Sequence, residues 1–212
     1  MSGLRQEHWE AVYREKSEAQ TSWFRPHLDE SMRLIDALSL PRDAPVLDVG
    51  GGRATLVDDL LARGFTDVAV LDLSATALAE ARQRLGAQAA GVHWIAGDVT
   101  EIALPEAHVT LWHDRAVFHF LTEPGEQARY LAAAAHAVLP GGFVVVGTFA
   151  DDGPERCSGL PVSRYGTAAL AAAFAPAFDM VSHSRDVHRT PTGNEQAFTY
   201  VVLRRHADGA SA

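Results

Sequence analysis

The sequence predicts an α/β protein whose central sheet is mostly parallel and is covered by helices on both faces. From residue 46 onward, short apolar runs alternate with stretches of helical periodicity, which is typical of consecutive strand–helix units. A glycine-rich turn at residues 50–52 joins the first apolar run to the first helical stretch. Acidic residues, namely Asp48, Asp72 and Asp98, stand in or just after the first three apolar runs. Because ligands bind beyond the carboxyl ends of parallel strands, we expect the functional site at these positions.

The composition is typical of a soluble globular protein. The chain has 212 residues, of which 47% are hydrophobic and 21% charged, which suits one domain with a short extension and excludes a disordered chain. The formal net charge is −9 and the basic residues are scattered, with Lys16 the only lysine, so we expect no nucleic-acid partner. The sequence lacks an apolar stretch suited to a membrane span or a signal peptide, which predicts a cytoplasmic protein. Cys157 is the only cysteine, so no intrachain disulfide can form.

The N-terminal part, residues 1–44, is predicted to form a helical cover. Apolar residues recur at helical spacing in residues 4–16 and again in residues 28–38. We expect this cover to fold over the strand ends of a ligand-binding domain at residues 45–205. Residues 206–212 are predicted to be a flexible tail.

The ligand-binding domain is predicted to contain seven strands and four helices. Ser74 suits the N-cap of one helix, and Pro124 suits the first turn of another, with Thr122 as its candidate cap. The Pro-Thr-Gly sequence at residues 191–193 indicates a hairpin-like connection between the last two strands. The predicted strands are residues 46–49, 68–73, 92–95, 108–112, 142–149, 178–187 and 197–203, and the predicted helices are residues 54–63, 75–85, 124–138 and 167–174.

The carboxylates at the strand ends favour a nucleoside ligand without phosphates. At the end of strand two, Asp72 can accept hydrogen bonds from both hydroxyls of a ribose, and Asp98 can accept one from an adenine amino group. Asp48 would repel a pyrophosphate, and Thr55 stands where a dinucleotide-binding turn has its third glycine. A P-loop pattern is absent from the sequence. An adenosine derivative with an ammonium group and no phosphate, S-adenosylmethionine, fits these residues.

Four motifs extend over residues 46–149: the D-x-G-x-G turn, the acidic end of strand two, the Gly97–Asp98 pair, and the Leu-Pro-Gly-Gly turn at residues 139–142. With these motifs the sequence resembles the class I S-adenosylmethionine-dependent methyltransferases. The resemblance implies a Rossmann-like sheet of seven strands in the order 3-2-1-4-5-7-6, with an antiparallel last strand. Ala54 departs from the family, which often has a third glycine there. The resemblance places Gly50 and Gly52 at the methionine part of the cofactor, Asp72 at the ribose, and Asp98 with Val99 at the adenine, and Asp48 and Leu73 complete this set.

The segment from Trp112 to Leu121 is expected to border both the reactive methyl group and the acceptor. A protonated acceptor must lose its proton, and His113, Asp114 or His119 could serve as the base. Other roles stay open at this point. His113 could contact the cofactor or position the backbone, His119 could be a hydrogen-bonded structural residue, and Asp114 could pair with Arg115. Pairs of histidines lack metal-ligand spacing, so we expect no metal.

Aromatic residues in the N-terminal cover help to predict the class of acceptor. Trp9 and Tyr13 are expected to dock the first helix, whereas Trp23 could shield the methyl donor and contact its sulfonium. A similar aromatic cover occurs in small-molecule methyltransferases of the thiopurine and tellurite type, and the pattern also resembles lysine methyltransferases related to those acting on citrate synthase and elongation factor. We expect transfer to an N, O or S atom of a small molecule. The alternatives are a protein-lysine methyltransferase, a non-catalytic S-adenosylmethionine-binding module and, third, a nicotinamide-dependent oxidoreductase.

Overall fold

The computed structural model describes residues 2–15, 17 and 20–207. Most of the tail predicted at residues 206–212 therefore lies outside the described residues. Within the described part, no helix is both long and apolar enough to cross a membrane. The predicted boundary between residues 44 and 45 stays a prediction.

A seven-stranded sheet organises the molecule. The strands along the chain are β1 (Val46–Val49), β2 (Val68–Asp72), β3 (Val92–Ala96), β4 (Val109–Arg115), β5 (Val138–Phe149), β6 (Arg156–Cys157), β7 (Leu160–Pro161), β8 (Phe178–Arg189) and β9 (Glu195–Arg205). In the sheet they follow the order β3-β2-β1-β4-β5-β9-β8, while β6 and β7 form a separate two-stranded hairpin. The first five strands pair in parallel, and β9 runs antiparallel to both β5 and β8. Apart from the added hairpin, this is the predicted strand order, and the predicted fold is confirmed.

The helices cover both faces of the sheet. They are α1 (Ser2–Glu15), α2 (Asp29–Ala37), α3 (Leu56–Ala62), α4 (Ala75–Leu85), α5 (Pro124–Ala137) and α6 (Thr167–Phe174). Because side chains alternate along a strand, Val46 packs in one apolar cluster with α2, α3 and α4, and Leu47 packs in a second cluster with α5 and α6. Ser74 caps α4 as predicted, since its Oγ accepts a hydrogen bond from the Ala77 N–H at 3.1 Å.

One strand boundary differs from the prediction in a way that matters for the site. The fourth strand was predicted to end at residue 112, whereas β4 continues to Arg115. His113 and Asp114 are therefore strand residues, and they lie in register with Asp48 and Val49 of β1. The polar His-Asp-Arg sequence hid this extension because buried strands of parallel sheets usually read as apolar runs. The N-cap of α5 was also predicted wrongly, because it is Glu123 rather than Thr122.

Candidate functional site

A cavity of about 1190 Å³ of empty space, its mouth included, opens at the carboxyl ends of the parallel strands. Its floor is formed by the residues that end β1, β2 and β4 or follow β3, and α1 with the loop after it supplies aromatic residues to its wall. Nearly all residues predicted to bind the cofactor line it. These residues are Trp23, Asp48, Gly50, Asp72, Leu73, Asp98, Val99 and His113.

The glycine turn after β1 leaves no room for a side chain at any of its three glycines, and two of them also have a positive φ. Gly50 has a φ of +68°, and a Cβ there would lie 2.0 Å from Cγ2 of Val117. Gly52 has a φ of +45°, and its Cβ would lie 2.8 Å from the Tyr13 hydroxyl and 2.9 Å from Oδ2 of Asp72. Glycine adopts a positive φ without strain, so the turn can hold its backbone close to a ligand and to α1. The approach of Tyr13 was not predicted, since the sequence indicated only that this residue docks its helix.

Asp72 is a buried carboxylate at the end of β2. Its Oδ1 accepts a hydrogen bond from the Ser74 N–H at 2.7 Å. Burial raises the pKa of Asp72 to about 7, and the nearby negative charge of Asp48 adds to the increase. The ionised form is thus destabilised by desolvation and would gain from further hydroxyl donors. This environment suits the vicinal hydroxyls of a ribose.

Asp98 follows β3 and is held by its own turn. Its Oδ1 accepts hydrogen bonds from the N–H and the hydroxyl of Thr100, both at 2.8 Å. Asp98 and the neighbouring Val99 are both buried and both line the cavity. This combination of one polar and one apolar residue suits the edge and face of an adenine ring.

His113 connects β1, β4 and α2. Its Nδ1 lies 2.7 Å from Oδ1 of Asp48, and its Nε2 lies 2.9 Å from Oγ of Ser31. The side chain is buried, and both ring nitrogens are engaged. The contact with Ser31 could not be predicted from the sequence, because 82 residues separate Ser31 from His113.

The other two predicted catalytic residues do not line the cavity. Asp114 accepts hydrogen bonds from the N–H groups of Val117 and Phe118 at 2.8 and 2.9 Å, and from the Tyr130 hydroxyl at 2.5 Å. Burial raises the pKa of Asp114 to about 6, although these hydrogen bonds oppose the increase. Its carboxylate therefore shapes the turn that follows β4.

His119 is also fully buried. Its Nδ1 accepts a hydrogen bond from the Phe149 N–H at 3.2 Å. Burial, with a smaller contribution from the positive charge of Arg115, lowers the pKa of His119 to about 3. A ring with this pKa is a weak base near neutral pH.

Arg115 was expected to pair with Asp114, but the structure gives it other partners. Its Nε donates to the Tyr200 hydroxyl at 3.2 Å, and its guanidinium carbon lies 4.4 Å from the centre of the Phe198 ring. Arg115 also lines the cavity. Alternation along the extended β4 places Arg115 on the same face as His113.

No cluster of three or more potential metal-ligating side chains occurs among the residues that the structure describes. Among the described residues, the cavity is lined by buried carboxylates, aromatic rings and arginines, and no cluster of potential metal ligands lies there.

Comparison with a family model matches residues 46–142 to a methyltransferase domain. Two curated proteins also match, the EEF1A lysine methyltransferases 2 of Mus musculus and Homo sapiens, which are 30% and 31% identical over 80 residues. Each alignment covers 34% of this chain, and the chain spans about a third of the length of these relatives.

Solved structures match over a much larger share of the chain. A protein described in the conversion of a disulfide bond into a thioacetal group during echinomycin biosynthesis aligns with a TM-score of 0.79 and 21% identity, covering 97% of this chain and 94% of its own. The 1,6-didemethyltoxoflavin-N1-methyltransferase of Burkholderia thailandensis, solved with 1,6-didemethyltoxoflavin and S-adenosylhomocysteine, aligns with a TM-score of 0.66 and 23% identity, covering 97% and 86%. The N-methyltransferase NodS of Bradyrhizobium japonicum, solved with S-adenosylhomocysteine, aligns with a TM-score of 0.70 and 16% identity, covering 93% and 98%.

Proposed function

Because this chain belongs to the class I S-adenosylmethionine-dependent methyltransferases, we propose that it transfers a methyl group from S-adenosylmethionine to an N, O or S atom of a small molecule. The observation that carries this proposal is the set of buried carboxylates at the ends of consecutive parallel strands, next to a turn that only glycine fits. Two structural neighbours were solved with S-adenosylhomocysteine, the product of such a reaction.

The residues of the cavity fit this cofactor. In the proposed binding mode, Asp72 accepts the ribose hydroxyls, and Asp98 and Val99 receive the adenine. The turn at Gly50 and Gly52 lies against the methionine part. Asp48 supplies negative charge near the cofactor's ammonium and sulfonium groups, and its buried Oδ2 has no hydrogen-bond partner within the described part of the chain.

In this proposal, the protein accelerates methyl transfer mainly by positioning the cofactor and the acceptor. When bound, the cofactor supplies an activated methyl group: a lone pair of the acceptor forms a bond to the methyl carbon while the carbon–sulfur bond breaks and its electrons stay on sulfur. Holding the two reactants in line removes much of the entropic barrier. Since both nitrogens of His113 are engaged, we propose that His113 orients Asp48 and Ser31 rather than removing a proton.

A protein lysine is the second candidate for the acceptor. The curated relatives are lysine methyltransferases of EEF1A, which favours this alternative, although their similarity covers only 34% of this chain. The structural neighbour solved with its acceptor carries a small heterocyclic molecule, and its alignment covers 97% of this chain. We give the small-molecule acceptor preference on the basis of this longer match.

Incubation with S-adenosylmethionine labelled in its methyl group separates these candidates. The protein is supplied in turn with a metabolite extract and with a protein lysate, and the label is followed by chromatography and gel electrophoresis. We expect the label in small molecules. The label in protein would support the lysine alternative, and binding of S-adenosylhomocysteine without any transfer would support the non-catalytic module.

A further inference from the structure

The cavity has a second half beyond the carboxylates, lined by aromatic rings and a guanidinium. Trp9, Trp23 and Phe120 form an aromatic wall, in which the ring centre of Trp9 lies 5.6 Å from that of Trp23 and 5.1 Å from that of Phe120. Arg115 adjoins this wall, since its Nη1 lies 3.5 Å from the carbonyl oxygen of Trp23. Among the described residues, the acidic side chains that line the cavity all belong to the other half, at Asp48, Asp72 and Asp98.

Arg115 differs from the other arginines that line the cavity. Each of the other three forms an ion pair with a carboxylate, whereas Arg115 has no carboxylate within 4 Å in the described part of the chain. The paired arginines are Arg5 with Glu126 at 2.6 Å, Arg25 with Asp186 at 2.8 Å, and Arg53 with Glu80 at 2.7 Å.

The Arg115 guanidinium is also held in place by two contacts, and one of its nitrogens has no hydrogen-bond acceptor among the described residues. The Tyr200 hydroxyl and the face of Phe198 fix its position. Its Nη2 is buried and has no hydrogen-bond acceptor among the described residues. A fixed, partly buried guanidinium with an unused donor binds an anionic oxygen strongly, because such hydrogen bonds are charge-assisted.

We propose that the acceptor is a planar aromatic or heteroaromatic acid, which binds as its anion with the ring against the aromatic wall and an ionised oxygen on Arg115. This inference rests on the proposed function and names its substrate class. An acceptor with a cationic amine would instead meet the positive charge of Arg115 with no acidic side chain in that half of the cavity, which is unfavourable. When the ionised oxygen is itself the atom that attacks the methyl carbon, no proton has to be removed and no base is needed, in agreement with the engaged nitrogens of His113.

Three ligands with the same bicyclic ring and different charges test this proposal. They are 2-naphthoate (anionic), 2-naphthamide (neutral) and 2-naphthylmethylammonium (cationic), each titrated calorimetrically into the full chain saturated with S-adenosylhomocysteine. We expect 2-naphthoate to bind about tenfold more tightly than the amide, the minimum effect of a hydrogen bond to a charged group. The ammonium compound should bind most weakly.

Variants of Arg115 test whether this residue causes the preference for 2-naphthoate. Arg115→Met should abolish the preference for 2-naphthoate, and Arg115→Lys should keep part of it because it keeps the charge. Arg189→Gln is the matched control, since Arg189 is exposed and pairs with Glu195 at 2.9 Å on the surface. This control should keep the full preference.

Several results would overturn the proposal. One is that 2-naphthoate binds the wild-type protein no more tightly than 2-naphthamide does. Another is that Arg115→Met keeps the preference for 2-naphthoate, whether or not this variant also loses affinity for S-adenosylhomocysteine. If Arg115→Met does not fold, the wild-type series and Arg115→Lys decide the question. Failure of S-adenosylhomocysteine to bind the wild-type protein would instead contradict the proposed function.

Discussion

At the scale of single residues, the buried carboxylate of Asp72 lowers the stability of the ligand-free protein above its pKa, and in the proposed site the same carboxylate binds the cofactor. Its carboxylate is buried at the end of β2, and its pKa is raised to about 7, mainly by desolvation. In the unfolded chain this group has an ordinary pKa near 3.8. The folded, ligand-free protein therefore holds the Asp72 proton more tightly than the unfolded chain does. The stability that this proton contributes is present below about pH 4 and is lost as the pH rises towards 7.

Asp72→Asn should consequently raise the melting temperature of the ligand-free protein at pH 8 and change it much less at pH 5. The same substitution should weaken binding of S-adenosylhomocysteine by about 1–3 kcal/mol, because the amide accepts ribose hydroxyls less well than a carboxylate does. Scanning calorimetry at the two pH values and titration calorimetry measure these effects. Asp43→Asn, at an exposed position, is the control. An unchanged binding isotherm for Asp72→Asn would contradict the role of Asp72 at the ribose.

At the scale of elements, α1 is a cover held by polar contacts from three directions. Arg5 pairs with Glu126 of α5, the Glu10 carboxylate accepts a hydrogen bond from the Thr76 hydroxyl of α4, and the Tyr13 carbonyl accepts one from Arg53 beside the glycine turn. Trp9 and Tyr13 of the same helix line the cavity. Because this wall belongs to α1 and the loop after it, we expect a bound ligand to leave faster when α1 is less firmly attached.

Removal of one contact should therefore speed ligand release. Arg5→Gln is expected to increase the dissociation rate of S-adenosylhomocysteine about fivefold, corresponding to about 1 kcal/mol lost from a partly buried ion pair. The matched control is Arg14→Gln, because Arg14 is exposed and bonds only within α1 among the described contacts. Stopped-flow measurement of dissociation compares the two variants. Equal rates in the wild-type protein and Arg5→Gln would show that α1 does not limit release.

Elements that depend on local signals could be predicted from the sequence, whereas contacts between residues distant in the chain could not. The helix α4 was predicted to the residue, and its N-cap Ser74 is a signal that lies next to the helix in the sequence. The extension of β4 and the partners of His113 and Asp114 were missed. These depend on Ser31 and on Tyr130, which lie on other elements and become neighbours only in the folded chain.

At the scale of the whole molecule, the central feature is a division of charge within one cavity. Buried carboxylates occupy the side formed by β1, β2 and β3, and Arg115 occupies the side formed by β4. The overall net charge of −9 adds a general attraction for a cationic cofactor. Such a cavity should distinguish nucleosides by charge, accepting a sulfonium or its thioether product and rejecting phosphates.

Titration calorimetry with S-adenosylmethionine, S-adenosylhomocysteine, NAD and ATP tests this claim most directly. All four ligands carry adenosine, so differences in their affinities report on the rest of the molecule. We predict saturable binding of S-adenosylmethionine and S-adenosylhomocysteine and no measurable binding of NAD or ATP. Tight binding of NAD or ATP, together with failure of S-adenosylhomocysteine to bind, would contradict the account.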